Sequence, residues 1–550
     1  MSQPSRVRKN VVANLFGSAW LALLGLLFPP LFARWMGVES YGLVGFYASL
    51  AALLSLFDLG LGMTLGREMA RLSSRPDDVS KREARDLLRT FELVYGAMGL
   101  ALAGAVVVLA PVLARHALNR ANSLAEADVV QCIRWMGLAL GAQFAQSAYV
   151  GTMTGLQRQV RLNALQVLNG TIKHGGTFAV LYATRRDAPT YFVCQALATL
   201  SALVVLRTAA GRALGRGAGP SGFRAELLRR NAAYATGIWS GYLASIVLTQ
   251  TDKFAVGKLL PLADFGYYAL ALAAGNAIYF LNGPLFSAVV PRFTQLAEAG
   301  DRAGLTALFR KASQAMVALV VPAAAALIVL RHEVLLVWSR SETTANVIGT
   351  TFALRAAATA VHSLLYVPYG LALATGAVRV TVWVNALGAL CFVPLELALI
   401  THRGVEGAAF GWLVLVAATL VAWHAIVRRR GWLDEPFWAG LLRNVLAPSL
   451  ASVVAAALAL RGLPAARGAL AAVVAPLAAL LTAVASLFVA DTAAFAAKAA
   501  SLLVALAALA FVALPAALAA LLAARDLGPV LAATLAGAIA RRRRPAAPSP

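Results

Sequence analysis

Apolar runs of helix length, separated by short polar interruptions, recur along almost the whole chain. They fall at approximately 11–33, 41–64, 91–114, 133–154, 163–184, 190–209, 232–260, 265–290, 312–335, 348–375, 380–401, 405–427, 443–462, 468–490 and 497–524. A helix needs about 20 apolar residues to cross the hydrocarbon core of a bilayer, so each run is a candidate span. The connections are too short to hold an ectodomain. This pattern predicts an all-α polytopic membrane protein. The first run follows Arg6, Arg8 and Lys9 as a signal peptide would, but it continues past Phe28 to Ala33 without a small-x-small cleavage site, and is read as an uncleaved span.

The polar interruptions alternate in charge. With the N-terminus cytoplasmic, the inside loops collect the N-terminal cluster and the basic stretches Arg67 to Arg89 and Arg207 to Arg230, which are expected to lie along an anionic leaflet. The outside loops keep scattered cations such as Arg34, Arg115, Arg120, Arg134, Lys258 and Arg340. Fifteen spans would leave Arg541, Arg542, Arg543 and Arg544 outside, whereas the positive-inside rule asks for an even number. About fourteen spans are therefore expected. Either one of the three Ala-rich stretches after Arg443 does not cross, or the segment after Pro529 contributes to the count.

Composition agrees with lipid as the solvent. The chain is 60% hydrophobic and 13% charged, where an ordinary soluble domain carries about a quarter charged residues. A net charge of +24 would suit nucleic acid, but no polar segment is long enough to form the water-facing domain such a partner needs. The excess is assigned to topology. Cys132, Cys194 and Cys391 are scattered without CxxC spacing, which indicates neither disulfides nor a metal site and leaves them as helix-packing residues.

Landmarks recur between the two halves at nearly constant offset. Asn10 pairs with Asn231, Arg34 with Lys258, Gly42 with Gly266, Arg67 with Arg292, Arg134 with Arg355, Gly155 with Gly376 and Asn163 with Asn385. Each match is weak alone, but their common order points to two six-helix lobes. Six is even, so both enter the membrane in the same direction and should be related by a pseudo-two-fold along its normal. The expected organisation is an N-terminal lobe at 1–210, a basic cytoplasmic linker at 211–231, a C-terminal lobe at 232–430, extra membrane helices at 431–540 and a basic Pro-rich tail at 541–550.

Four stretches carry a family resemblance. They are PheAlaArgTrpMetGly (32–37) with SerTyrGlyLeu (40–43) and PheAspLeuGlyLeuGly (57–62); ThrAspLysPheAlaValGlyLysLeu (251–259) running into PheGlyTyrTyrAlaLeuAla (265–271); AlaThrGlyAlaValArgValThrValTrpValAsn (374–385); and HisArgGlyValGluGlyAlaAlaPheGly (402–411). In this order they resemble the polysaccharide-transporter branch, the O-antigen-type lipid-linked oligosaccharide flippases, of the multidrug/oligosaccharidyl-lipid/polysaccharide superfamily. The resemblance covers roughly 6–430. It implies two lobes around a central cavity, alternating access, and a cargo of polyprenyl-diphosphate carrying a sugar oligomer. It places the protein in a bacterial-type inner membrane as a monomer, beside a polysaccharide polymerase and glycosyltransferases.

Ionisable groups inside spans are the default site candidates. Lys173 and His174 fall near the midplane, and His362 lies deep in its span. With Lys253 they are the candidates for lining a substrate cavity, where a cation would lower the barrier to a diphosphate. Asp58, Asp252 and Glu396 are candidates for a coupling proton or sodium ion, with a helix-packing hydrogen bond as the competing reading of each. Asp252 and Lys253 are adjacent, so about 100° of helix should keep them from facing each other. Arg34, Arg134, Lys258 and Arg355 are expected at the outer mouth, snorkelling to headgroups. The tyrosines at 267, 268, 366 and 369 are placed either against sugars or in an interface belt.

Enzymatic chemistry finds little support. No outer loop offers acid/base or metal-ligand spacing, and no GxxxxGKS/T phosphate loop is present, so no cofactor beyond an ion gradient is expected. Three other readings stay open: a drug or cation antiporter, a peptidoglycan-precursor flippase of the same fold, and, from a different class, a membrane glycosyltransferase or polymerase. The lack of an acid in the first span counts against the antiporter.

Overall fold

The computed structural model describes residues 3–433, with breaks at 59, 76, 120–123 and 216–221, together with positions 445, 446 and 449. The three expected spans after Arg443 and the basic tail lie outside the described residues. Seven described helices are long and apolar enough to cross a membrane. A bent pair, Leu262–Leu281 with Leu285–Glu298 at 47°, is either a broken eighth span or a re-entrant loop. The chain divides into two compact units, Met1–Ala274 with Asn385–Ala408, and Gly275–Val384 with Ala409–Pro550.

In the first unit α1 (Gln3–Met36) turns at Gly37, φ 88°, into α2 (Val38–Leu54). A 3-10 turn, Ser55–Asp58, and left-handed Gly60 then start α3 (Leu61–Ser73). Asp77 caps α4 (Asp78–His116) by accepting the Ser80 N–H at 2.9 Å. Next come α5 (Glu126–Gly155) and α6 (Gln159–Thr171), a π turn at Ile172–Gly176, α7 (Thr177–Ala183), α8 (Ala188–Leu214) and α9 (Ala225–Leu259). The following helix, α10 (Leu262–Gly275), has all but its last residue in this unit.

Lipid gives apolar helices little reason to associate, so close backbone approach and packing must hold them together. A side chain at Gly99 would run into the Gly141 carbonyl, and one at Gly141 into that of Gly99, so α4 and α5 meet backbone to backbone. Below that crossing Leu65, Met69, Phe91, Tyr95 and Met153 are fully buried in one cluster. The pairing of α2 with α10 is reciprocal. A side chain at Gly42 would strike the Leu262 carbonyl oxygen, and one at Gly266 would strike that of Val38. Val38 is to Gly42 as Leu262 is to Gly266, so the two landmark glycines meet across a local two-fold. This contact is why α9 and α10, expected in a C-terminal lobe, pack within the first unit.

The second unit contains a 3-10 turn, Asn276–Leu281, then α11 (Asn282–Glu298), α12 (Arg302–Val329), α13 (Arg331–Ser339), α14 (Glu342–Leu364) and α15 (Tyr366–Ala374). From α10 to α12 the element order repeats that of α2 to α4: a helix, a 3-10 turn, a second short helix, then an Asp-capped long helix. Asp301 caps α12 through the Gly304 N–H at 2.7 Å, at the same offset from Asp77 that separates Gly266 from Gly42. One landmark shifts. The left-handed residue that ends α5 is Gln157, φ 54°, and its counterpart after α15 is Gly376, φ 70°. Gly155 instead packs on the Gly66 carbonyl.

The last described helix, α16 (Val378–Arg429), is 52 residues long, about 78 Å if straight and far more than one crossing. Gly404 breaks it with φ 58°, and a side chain at Gly407 would strike the Leu399 carbonyl, so the chain turns sharply between the two stretches expected to be separate spans.

Within the basic stretches several arginines pair with the protein's own acids: Arg67 and Arg71 hold Glu68 at 3.1 and 2.8 Å, Arg89 and Arg207 hold Glu92 at 3.1 and 2.5 Å, and Arg224 holds Asp86 at 2.7 Å. One expectation changes. Of the cysteines, Cys132 is buried but Cys391 is exposed and packs against nothing that would hide it among the described residues.

Candidate functional site

The first unit contains a cavity of about 790 Å³ walled by α2, α3 and α5. The break after Leu54 creates it. Four residues of 3-10 helix and left-handed Gly60 end α2 and redirect the chain, and Asp58 is left on the cavity wall. The Tyr95 hydroxyl donates to one carboxylate oxygen of Asp58, and the Gly62 N–H reaches the other at 3.4 Å. Arg67, half-exposed, lines the same wall. Opposite them α5 presents Gln143, Gln146, Ser147 and Thr154 among Leu140, Phe144 and Val150. Gln146 donates to the Thr199 carbonyl at 2.8 Å. The space is thus bounded by one carboxylate, one guanidinium and a row of neutral polar groups set among apolar residues of the same helices.

Lys173 and His174 sit on the π turn Ile172–Gly176. A π turn inserts one residue into a helix and leaves a carbonyl without its usual partner. Here the Lys173 carbonyl accepts from Gln195 Nε2 at 3.0 Å and from the Thr177 hydroxyl at 2.6 Å. The bulge carries the Lys173 ammonium to 5.5 Å from the centre of the Tyr47 ring. The Tyr47 hydroxyl in turn lies 3.5 Å from Gln143 Oε1, on the cavity wall. Lys173 makes no ion pair among the described residues. His174 lies against the tilted ring of Phe28 and the stacked ring of Phe32, with centroids at 5.6 and 6.5 Å, and its buried Nδ1 has no hydrogen-bond partner among the described residues.

The other candidates lie apart from this group. Asp252 and Lys253 do face each other: the Lys253 stem folds back to place Nζ 2.8 Å from Asp252 Oδ1 and 2.5 Å from the Thr249 carbonyl. A long side chain overcomes the 100° separation that the helix imposes on Cβ atoms. Fully buried Tyr268 donates to the second Asp252 oxygen at 2.7 Å, which removes Tyr268 from any sugar-stacking surface. Glu396 is fully buried in α16. Arg34 and Lys258 end α1 and α9, and both are exposed, as is Arg134. Arg355 departs from the outer-mouth expectation. It is 5% exposed, about 20 Å along α14 from Glu342, with its guanidinium 5.0 Å from the Trp412 ring centre. In the second unit His362 meets Tyr279, Tyr366 and Trp412 at 5.5, 5.9 and 6.0 Å, and Tyr369 stacks on Phe286.

Sequence reasoning missed Tyr95, Gln143, Gln146 and Gln195. A signal existed for two of them, since Gln143, Gln146 and Ser147 stand at i, i+3 and i+4 in an apolar span and so share one face.

The family model described as polysaccharide biosynthesis protein matches residues 7–297, more than half of the chain. The chain belongs to that family. The resemblance to the polysaccharide-transporter branch is thereby borne out, and the matched region includes the whole cavity. No curated protein matches. Solved structures show the fold. The lipid II flippase MurJ in an inward closed conformation aligns with TM-score 0.63 at 11% identity, over 94% of this chain and 99% of its own. The multidrug transporter DinF-BH of the MATE family, in complex with R6G, aligns at 0.56 and 12% identity, over 79% and 98%. The Vibrio cholerae MATE transporter VcmN, as a single-residue mutant, aligns at 0.52 and 14% identity, over 78% and 99%. This family member is therefore a multi-pass membrane protein with the fold of these transporters.

Proposed function

We propose that the protein is a flippase that carries polyprenyl-diphosphate-linked oligosaccharide from the cytoplasmic to the outer leaflet of the inner membrane by alternating access, for surface polysaccharide biosynthesis. The observation that carries this reading is the mainly apolar cavity with Asp58, Arg67, Gln143, Gln146, Ser147 and Thr154 on its wall, within the part of the chain that the family model matches. Such a cavity supplies water-like partners to a sugar headgroup, while the lipid tail remains in the bilayer. Lys173, behind Tyr47, adds positive potential in a medium of low dielectric, where attraction to a diphosphate is strongest. Translocation changes no covalent bond. Glycosyltransferases would supply the cargo, and a polymerase would consume it on the far side.

A proton or sodium gradient would drive the cycle. Asp58 is the best placed of the three acids to bind the coupling ion because it faces the cavity, whereas Asp252 is committed to Lys253 and Tyr268. A second reading, flipping of a peptidoglycan precursor, draws on the alignment with the lipid II flippase along nearly the full chain.

Purified protein reconstituted into liposomes with a lipid-linked oligosaccharide tests the proposal. Glycosidase added outside should gain access to cargo loaded on the inner leaflet only when the protein is present. Equal access in protein-free vesicles, or transfer of sugar between lipids, would reject it. Faster movement of lipid II than of other lipid-linked glycans would favour the second reading.

A further inference from the structure

The second unit holds a cluster that the cavity does not use. Arg355 lies over Trp412, and its stem crosses the helix end at Gly275, where an added Cβ would stand 3.0 Å from Arg355 Cγ. The His362 ring lies 6.0 Å from Trp412 and edge-on to Tyr279 and Tyr366. Three nitrogens in this cluster are buried without a hydrogen-bond partner among the described residues, Arg355 Nε and Nη1 and His362 Nδ1, while the Trp412 N–H is turned to the Tyr279 hydroxyl. Arg355 makes no ion pair among the described residues.

A guanidinium keeps its charge at any physiological pH, so it cannot escape burial by losing a proton. The Trp412 face meets it electrostatically from one side only, which leaves the in-plane N–H groups unanswered. His362 donates through Nδ1 in one of its tautomers. Native interiors rarely leave one such donor unmatched, and a shared cluster of them indicates an acceptor that belongs there. That acceptor must be anionic to balance Arg355 and must offer several oxygens. A tetrahedral phosphate-type group meets both demands.

We propose that Arg355, Trp412 and His362 form a binding site for a phosphate-class oxyanion, either a lipid-linked diphosphate headgroup or free phosphate. The inference rests on the flippase reading only for the lipid as the source of the phosphate. The rings of Tyr279, Tyr366 and Trp412 supply an aromatic surround against which the carbon faces of an attached sugar pack.

The test measures equilibrium binding of radiolabelled inorganic pyrophosphate and farnesyl diphosphate to the full-length protein in nanodiscs, for wild type, R355Q, R355K and W412F. The wild type should bind at least one ligand saturably. R355Q should weaken that binding tenfold or more, R355K should retain part of it, and W412F, which keeps a ring but releases the Tyr279 hydroxyl, should weaken it several-fold. Tighter binding of farnesyl diphosphate assigns the site to a lipid headgroup, and equal or tighter binding of pyrophosphate assigns it to free phosphate. No binding by wild type overturns the proposal, as does unchanged affinity in correctly folded R355Q and W412F. If R355Q does not fold, W412F and R355K decide. Liposome translocation by the wild type reads the flippase proposal separately, so either idea can fail alone.

Discussion

The reciprocal contact between α2 and α10 allows a quantitative test. A methyl group at Gly42 would stand 2.8 Å from Leu262 Cδ1 and closer still to the carbonyl oxygen of the same residue, and one at Gly266 would stand 2.9 Å from Val38 Cγ1 with the Val38 carbonyl nearer. Backbone atoms cannot rotate away, so the helices must part. That also loosens Gly45 against Ala269 and Phe265, which now lie 3.0 and 3.4 Å from the Cβ position of Gly45. Overpacking of this kind costs about 1–3 kcal/mol, and replacing Gly in a helix returns at most about 1 kcal/mol. G42A and G266A should each destabilise by about 1–2 kcal/mol. Because both methyls open the same gap, G42A/G266A should cost less than the sum by at least about 0.5 kcal/mol. Gly25 and Gly96 have nothing within 4 Å of their Cβ positions, so G25A and G96A are the controls and should be neutral or slightly stabilising. The assay is reversible unfolding of purified protein in mixed micelles titrated with SDS, followed by helical circular dichroism. Equal stability of G42A and G25A, or strict additivity in the double variant, would refute the reciprocal contact.

Three further outcomes follow from the candidate site. Lys173→Ala should cut surface polysaccharide several-fold in a complementation assay, and full export at normal protein levels would remove Lys173 from the cargo path. Tyr95→Phe leaves Asp58, among the described residues, with only the long Gly62 N–H contact and should cost about 1–3 kcal/mol in the same unfolding assay. Asp58→Asn should blunt that effect in the double variant, and a Tyr95→Phe change that costs the same in the Asp58→Asn background would show that the two do not interact. Gln195→Leu strips one partner from the Lys173 carbonyl on the π turn, so translocation should fall by more than stability does; unaltered translocation would show that the bulge does not position Lys173.

Membrane spans were legible in the sequence because lipid imposes one requirement, about 20 apolar residues, that short-range pattern can meet or fail. The duplication was legible as well, through glycines whose spacing is set by the contacts of Gly42 and Gly266. What escaped were features that depend on a second element. The segment Gly66 to Ser73 looks like a basic loop in isolation, yet it is the end of α3, its arginines answered by Glu68 and by Glu83 on α4. Counting back from Gly376 puts Arg355 at the mouth, but α14 and α15 together run for 33 residues, so the same count ends in the interior. Lys173 stands out because a charge in an apolar run is conspicuous, while the π turn beneath it has no signature of its own in the residue order Ile-Lys-His-Gly-Gly. Neutral Gln143 and Gln146 drew no notice for the opposite reason.

The 3-10 turns have a consequence in angular phase. An α-helix advances 100° per residue and a 3-10 helix 120°, so each 3-10 residue rotates everything after it by about 20° relative to an unbroken helix. Four residues at Ser55–Asp58 carry the end of the span that begins with α2 through about 80° of phase before left-handed Gly60 redirects the chain into α3. An apolar stripe that runs down α2 therefore cannot continue in register down α3. One span can turn oil-facing residues outward over half its length and polar residues inward over the other half, with no point at which a single stripe has to serve both.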